Sequence, residues 1–208
     1  MQFKRLFWIF LDTILPLSTE AAIARTLNED TLSAMVHPTI HAREPWIMAL
    51  MSYYNPKVRA LIRAVKYRGE KAPLPALGRI AADEILHVLS NKRATSGWER
   101  VMIVPVPSSV ERLRSRGYNQ AERITLSILP YLGREVEYTP DVLARKDRQS
   151  QVSVAPERRH HNIQGAFFVL RPDKVAGTNI LLIDDVVESG TTLADAKRAL
   201  MEAGANDV

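Results

Sequence analysis

Two adjacent carboxylates, Asp184 and Asp185, are the side chains of this sequence with the clearest chemical potential. They follow the apolar run 180–183, which is typical of a buried parallel strand. Open α/β sheets bind their ligands at the carboxyl ends of such strands. We therefore expect a ligand site at the end of this strand.

The residues after the acidic pair have the composition of a phosphate-binding loop. Glu188, Ser189, Gly190, Thr191 and Thr192 lead directly into a predicted helix. A helix start has free backbone N–H groups and the positive end of the helix dipole, so it binds a phosphate monoester without a lysine. The hydroxyl groups add donors, and the glycine lets the backbone approach the ligand closely.

The acidic pair would repel the phosphate itself and needs a different partner. Adjacent carboxylates suit hydroxyl groups or a metal ion such as Mg²⁺, which prefers oxygen ligands. A ribose 5-phosphate satisfies both halves of the motif, with its phosphate on the loop and its 2- and 3-hydroxyls on Asp184 and Asp185. The alternative is that the pair only flanks an ordinary turn between a strand and a helix.

The rest of the chain alternates predicted helices and strands. Apolar spacing predicts helices over 53–67 and 75–89, a helix that begins at Asn119, and a final helix from about Thr192 to Gly204. Short apolar runs predict strands over 101–106, 166–170 and 180–183. Residues 107–117 and 141–165 are basic, lack apolar periodicity and are predicted to be loops. The alternation indicates an α/β fold with a mostly parallel central sheet flanked by helices.

The chain is expected to divide at about residue 45. Residues 1–45 contain prolines and few strand signals, and we expect a helical appendage there. Residues 46–208 should form the main domain. The chain ends at Val208, where another strand is expected after the final helix, so a domain truncated at its carboxyl end stays open.

Composition excludes several kinds of site. The 208 residues include no cysteine, which rules out disulfides, thiolate zinc sites, iron–sulfur clusters and cysteine nucleophiles. The net charge of +5 predicts attraction to polyanions, which include nucleic acid, acidic lipid and small polyphosphates. The apolar run 6–11 is interrupted by Asp12 and is too short to span a bilayer, so we expect a cytoplasmic protein without a membrane span.

Several motifs together resemble one known family. The run 180–192 resembles the signature of type I phosphoribosyltransferases, which bind 5-phosphoribosyl-1-pyrophosphate (PRPP). Other segments resemble the competence protein F family, whose members are amidophosphoribosyltransferase-like. These segments are Lys66-Tyr-Arg-Gly69, Val104-Pro-Val-Pro107, Arg116-Gly-Tyr-Asn-Gln120, Leu143-Ala-Arg-Lys146 and Asn162-Ile-Gln-Gly-Ala-Phe167.

The resemblance implies a fold, a reaction and further site residues. It implies a type I phosphoribosyltransferase fold with a flexible hood. The reaction would be a Mg²⁺-dependent transfer of the phosphoribosyl group from PRPP to an unidentified small-molecule nucleophile, with release of pyrophosphate. Asp184, Asp185 and Glu188 would be the catalytic residues. The pyrophosphate would be bound by Ser108, Ser109, Arg112, Arg114, Arg116 and Gly117, and the hood would contain Arg145, Lys146, Arg148 and Arg158.

The sequence departs from the family pattern at two places. The family commonly begins with a cysteine-ligated zinc ribbon, and because this chain has no cysteine we expect no zinc. Glu188 stands where the family usually has a small hydroxyl residue. It resembles the acidic residue of purine-salvage phosphoribosyltransferases, which serves as a base near the acceptor. The alternative for Glu188 is a solvated side chain.

Two other functions stay open on this evidence. The resemblance also fits a non-catalytic protein that senses PRPP or docks to the DNA-uptake machinery of natural transformation. Glu188 favours a purine or pyrimidine salvage transferase. Single-stranded DNA is a weaker candidate partner, because aromatic residues are not interleaved with the basic stretches. A dimer is compatible with each of these functions.

Overall fold

The computed structural model describes residues 19–146 and 165–208. The described helices are α1 Thr19–Thr26, α2 Glu29–Ser33, α3 Pro56–Arg68, α4 Leu74–Ser96, α5 Val110–Arg116, α6 Gln120–Leu132, α7 Pro172–Val175 and α8 Thr191–Glu202. The described strands are β1 Thr39–Ile40, β2 Met48–Ala49, β3 Val101–Pro105, β4 Glu137–Tyr138, β5 Leu143–Arg145, β6 Phe167–Val169 and β7 Asn179–Ile183. Within these ranges, no helix combines the length and the apolar character needed to cross a membrane.

The centre of the fold is a parallel sheet with the strand order β4-β3-β7. Strands β3 and β7 pair from Val101 opposite Asn179 to Pro105 opposite Ile183. All residues of β3 are buried, as its continuous apolar sequence predicts for a strand covered on both faces. The predicted α/β fold with a parallel central sheet and flanking helices is confirmed.

Two apolar cores lie on the two faces of this sheet. Side chains alternate across a strand, so Ile103 belongs to one core and its neighbours Met102 and Val104 belong to the other. The first core is built mainly from α3, α4 and α6, and the second mainly from β5, β6 and α8. The sheet is therefore held from both sides, which fixes the position of its carboxyl edge.

The prediction of a continuous loop over 141–165 is wrong at its amino end. Residues Leu143–Arg145 form β5, which pairs antiparallel with β6. Leu143 and Phe167 are both buried in the second core. A strand of three residues is too short to show periodicity in the sequence. It is a strand because it pairs with β6, which lies more than twenty residues later in the chain.

Residues 19–45 contain the helices α1 and α2 and the short strand β1. Strands β1 and β2 form an antiparallel hairpin whose connecting segment spans the predicted boundary between residues 45 and 46. Leu27, Leu32 and Met35 pack in the first apolar core together with α3 and α4. Strand β1 was not predicted, because a strand of two residues gives no sequence signal. The domain boundary at about residue 45 stays a prediction.

The arginine-rich segment 107–117 was expected to be a loop but contains the helix α5. Ser109 caps this helix by accepting a hydrogen bond from the Arg112 N–H at 3.3 Å, and Gly117 ends it with a φ of 79°. None of its residues is buried. The helix therefore has no apolar stripe, and only its two cap residues indicated it.

Candidate functional site

The turns that follow β3 and β7 leave the sheet side by side. The Val106 N–H donates to the Ile183 carbonyl at 2.9 Å, one residue beyond the paired strands. Both strands run in the same direction. The acidic pair after β7 and the serines after β3 therefore lie at the same edge of the sheet, where an α/β fold places its ligands.

The acidic pair is ordered by its own backbone and by a lysine from a distant helix. The Asp185 N–H donates to Asp184 Oδ1 at 2.8 Å, and Lys66 Nζ lies 3.0 Å from Asp185 Oδ2. Burial and then the charge of Asp185 raise the pKa of Asp184 to about 7. At neutral pH the two carboxyl groups therefore carry less than two full negative charges.

The phosphate loop, residues 188–192, ends at a helix start that no side chain caps. Gly190 is the N-cap residue of α8 and has a φ of 78°. The Ser189 and Thr191 hydroxyl oxygens lie 2.9 Å apart. The side chains of Glu188, Ser189 and Thr191 are exposed. The first N–H groups of α8 thus lack a side-chain cap, which is the arrangement that binds anions at helix starts.

The loop of the β1–β2 hairpin, residues 41–47, covers one side of the phosphate loop. A Cβ atom built at Gly190 would lie 3.0 Å from Glu44 Cγ and 3.3 Å from His41 Cε1. The His41 Nε2 atom lies 3.4 Å from the Glu188 carbonyl oxygen. The hairpin loop therefore forms a wall of the site, although the exposed side of the phosphate loop stays accessible.

Three further contacts hold this hairpin loop in place. Trp46 Nε1 donates to Glu44 Oε2 at 2.7 Å, and Lys197 Nζ of α8 lies 4.5 Å from the centre of the Trp46 ring. Ile47 is buried in the second apolar core. The hairpin loop is therefore packed against α8 around the start of the helix.

The close contact at Gly190 gives a testable expectation. Gly190→Ala should weaken PRPP binding at least about tenfold, because alanine is strained at this φ and its Cβ would push Glu44 away. Gly177→Ala is the matched control, since Gly177 has a φ of 70° but no atom within 4 Å of the added Cβ. Calorimetric titration of both variants measures the difference. Equal affinities would mean that the phosphate loop is not the binding element.

The predicted pyrophosphate-binding residues lie after β3 but have different surroundings. Ser108 Oγ donates to Asn119 Oδ1 at 3.0 Å, and Asn119 Nδ2 donates to the Val106 carbonyl at 3.0 Å. Arg112 and Arg114 are exposed on α5. The turn after β3 is therefore fixed by Asn119, whereas these two arginines extend into solvent.

Arg116 differs from the other arginines of α5. Its guanidinium lies 5.0 Å from the centre of the Tyr67 ring. Its Nη1 atom is buried and has no hydrogen-bond partner among the residues that the structure describes. A guanidinium nitrogen without an acceptor can pair with a phosphate oxygen once a change of side-chain conformation exposes it.

Replacement of the arginines tests whether this helix binds an anion. Substitution of Arg112, Arg114 and Arg116 together with glutamine should raise the dissociation constant for PRPP and flatten its dependence on salt, because the contacts are charge-based. The double variant Arg112→Gln with Arg114→Gln is compared with Arg100→Gln with Arg134→Gln, which loses the same charge at the opposite edge of the sheet. Titrations at several salt concentrations provide the comparison. An unchanged constant in the triple variant would assign these arginines to a solvated face.

Comparison with known proteins is consistent with this geometry. The family described as "Phosphoribosyl transferase domain" matches residues 77–208, which include β3, β7, the acidic pair and the phosphate loop. The chain belongs to the phosphoribosyl transferase family. No solved structure is significantly similar to it.

Curated relatives narrow the position of the chain within this family. DNA utilization protein YhgH of Escherichia coli O157:H7 is 27% identical over 167 residues, which cover 79% of this chain and 70% of that protein. Competence protein ComFC of Bacillus subtilis is 25% identical over 151 residues, covering 73% and 56%. Competence protein F of Haemophilus influenzae is 24% identical over 163 residues, covering 77% and 69%. The resemblance to the competence protein F family of type I phosphoribosyltransferases is confirmed.

The hood predicted for this phosphoribosyltransferase fold is only partly described. Arg145 lies at the end of β5 with its guanidinium 5.2 Å from the centre of the Phe167 ring, and the Lys146 N–H donates to the Ala166 carbonyl at 2.8 Å. Arg148 and Arg158 lie outside the described residues. The hood assignment of all four therefore stays a prediction.

Asp195 is a structural residue of the site that sequence reasoning missed. This buried carboxylate of α8 accepts hydrogen bonds from the Gly165 N–H at 2.7 Å, the Phe167 N–H at 3.1 Å and Arg198 Nε at 2.9 Å. Burial alone would raise the pKa of Asp195, but these hydrogen bonds outweigh it and hold the pKa below its usual range. Asp195 ties β6 to the helix that carries the phosphate loop. The only signal was a lone acid beside the apolar stripe of a predicted helix.

The described residues contain no group of three or more His, Asp or Glu side chains that could hold a metal ion. Asp184 and Asp185 supply the carboxylate oxygens directly after β7, and Lys66 already contacts one of them. These oxygens fit Mg²⁺ chemically, but they are too few for a closed protein site. A Mg²⁺ ion would need most of its ligands from a substrate and from water.

Proposed function

We propose that this chain binds PRPP and transfers its phosphoribosyl group to a small-molecule nucleophile. The observation that supports this best is the placement of the acidic pair and an uncapped helix start at one edge of a parallel sheet. PRPP carries a phosphate monoester, two ribose hydroxyls and a pyrophosphate. The phosphate loop, the acidic pair and the turn after β3 would each bind one of these groups.

The 5-phosphate would bind the phosphate loop. The N–H groups at the start of α8 point out of the helix and carry its positive dipole end, and Ser189 and Thr191 add hydroxyl donors. The ribose 2- and 3-hydroxyls would donate to Asp184 and Asp185. This arrangement keeps the phosphate on the loop and away from the negative carboxylates.

The pyrophosphate would lie toward the turn after β3 and the helix α5. Ser108 and Ser109 come first after the strand, and Arg116 offers a buried guanidinium nitrogen without a partner among the described residues. Arginine pairs with two phosphate oxygens at once, which suits a diphosphate leaving group. A Mg²⁺ ion bound to the substrate near Asp184 and Asp185 would neutralise part of the pyrophosphate charge.

The reaction would replace one bond at the anomeric carbon by another. The carbon–oxygen bond to pyrophosphate breaks, and its electron pair leaves with the pyrophosphate. The lone pair of the nucleophile forms the new bond on the opposite face, so the configuration inverts. Glu188, exposed at the edge of the phosphate loop, would accept the proton that the nucleophile loses. The protein would otherwise act by positioning and by charge stabilisation.

Two measurements test this proposal. Calorimetric titration with PRPP and Mg²⁺ should show saturable binding, which Gly190→Ala weakens. Pyrophosphate release should then be assayed over a panel of purine and pyrimidine bases, amines and ammonia, with one acceptor expected to give turnover. Absence of PRPP binding would remove the proposal.

A second candidate is a non-catalytic role in DNA uptake. The names of the relatives favour it, since they refer to DNA utilization and competence and not to a reaction. Binding of PRPP without pyrophosphate release for any acceptor would support this role. Turnover with a free base would instead support the salvage function that Glu188 suggests.

A further inference from the structure

Lys66 lies on a helix outside the sheet, and its side chain places a positive charge next to the acidic pair. It lies in the last turn of α3, a helix that precedes the matched family region 77–208. Its ammonium is 3.0 Å from Asp185 Oδ2, and the side chains of Lys66 and Asp185 are only 20% and 15% exposed. An ion pair at this level of burial is screened far less by solvent and salt than a surface pair.

The backbone under Lys66 is held by side chains that follow the helix α5. Tyr118 Oη donates to the Val65 carbonyl at 3.0 Å, and Gln120 Nε2 donates to the Lys66 carbonyl at 3.3 Å. The helix ends at Gly69 with a φ of 64°. Tyr118 and Gln120 thus satisfy the Val65 and Lys66 carbonyls in the last turn of α3, which fixes the backbone that carries the ammonium.

Two adjacent carboxylates at a sheet edge would by themselves attract a divalent cation. An ammonium 3.0 Å from one of them neutralises part of that attraction and repels a second cation. Mg²⁺ gives up its water ligands reluctantly and usually binds proteins through few carboxylates together with substrate phosphates. Free Mg²⁺ should therefore bind only weakly at this position. A Mg²⁺ ion that is already bound to a diphosphate brings oxygen ligands with it.

We propose that Lys66 occupies the position of the cation on the acidic pair in the free protein, so that free divalent metal is excluded and metal enters only with the substrate. Lys66 is then a positioning residue that determines the order of binding. The part of the proposal that concerns the substrate rests on the proposed function. The exclusion of free metal does not depend on it.

Titration with Mn²⁺ alone, followed by electron paramagnetic resonance, tests the exclusion directly, because Mn²⁺ prefers the same oxygen ligands as Mg²⁺. The parent and Lys66→Arg should show no site beyond weak surface binding. Lys66→Met should gain one Mn²⁺ site at least about tenfold tighter, because removal of the ammonium leaves the carboxylates without a counter-charge. Lys57→Met, on the exposed first turn of the same helix, should behave like the parent.

The gained site should disappear in the double variant Lys66→Met with Asp185→Asn, which locates it at the acidic pair. Lys66→Gln places a neutral polar group near Asp185 and replaces the methionine variant if that variant does not fold. The proposal is overturned if the parent binds free Mn²⁺ at a site that Asp185→Asn removes, or if neither neutral variant binds Mn²⁺ more tightly than the parent. If the parent fails to bind PRPP with Mg²⁺ while Lys66→Met gains the Mn²⁺ site, the proposed function fails and the role of Lys66 stands.

Discussion

Asp184→Asn should raise the free energy of unfolding at pH 8 while it weakens PRPP binding. The pKa of Asp184 is raised to about 7 in the folded protein, first by burial and then by the charge of Asp185, from an ordinary value of 3.8. Between these values the folded state binds more protons than the unfolded state, so the stability of the parent falls as pH rises from about 4 to about 7. Asparagine cannot ionise, so Asp184→Asn should not lose stability over this pH range.

The size of the effect follows from the pKa difference. One pKa unit corresponds to about 1.4 kcal/mol, so the upper limit is about 4 kcal/mol, and relaxation of the site should reduce it to about 2 kcal/mol. Urea unfolding of the parent and Asp184→Asn at pH 3, 6 and 8 should show a difference near zero at pH 3, below both pKa values, that grows to a plateau above pH 7. A constant difference at all three pH values would contradict the raised pKa.

Asp185→Asn is the matched control for this experiment. It makes the same chemical change one residue later, but it removes the partner of Lys66, so the gain in stability at pH 8 should be absent. Both variants should weaken PRPP binding by about 1–3 kcal/mol, because each removes a charged acceptor of a hydroxyl hydrogen bond. PRPP affinity of the parent should also fall below pH 7, where Asp184 becomes protonated. Unchanged affinity in both variants would make the carboxylates purely structural.

Glu188→Gln should lower the turnover rate about 10²–10⁴-fold and leave PRPP affinity nearly unchanged. Glu188 is exposed at the edge of the phosphate loop, and its backbone carbonyl oxygen lies 3.4 Å from His41 Nε2 of the hairpin loop. Its side chain is therefore available to an incoming nucleophile, and its replacement should not disturb the binding elements.

The comparison needs an acceptor that gives turnover with the parent. Turnover and PRPP affinity of Glu188→Gln should be measured beside Glu99→Gln, an exposed glutamate before β3 at the opposite edge of the sheet. The rate of the control should equal that of the parent. Parental turnover in Glu188→Gln would assign Glu188 to the solvated surface and return the site to the usual family pattern.

The elements that carry the site were predicted where their signals are consecutive in the sequence. The apolar run before Asp184, the small residues around Gly190 and the apolar stripe of α8 act through neighbours within a few positions. The predicted strands over 101–106 and 180–183 and the helices after Asn119 and near Thr192 are found within one or two residues of their expected positions. Strand, phosphate loop and helix are local structures, so local sequence is sufficient to predict them.

Short elements and distant contacts were not predicted. The three residues of β5 are too few for periodicity, and α5 buries no side chain that would reveal a helix. The wall formed by the hairpin loop, the contact of Lys66 with Asp185 and the anchoring of β6 by Asp195 each join residues that are far apart in the chain. The sequence by itself determined the kind of site, because the residue types and order around the acidic pair are chemical information. Only the tertiary structure decided which charges surround that pair, because burial and packing bring α3 and the hairpin to the sheet edge through contacts that no local pattern encodes.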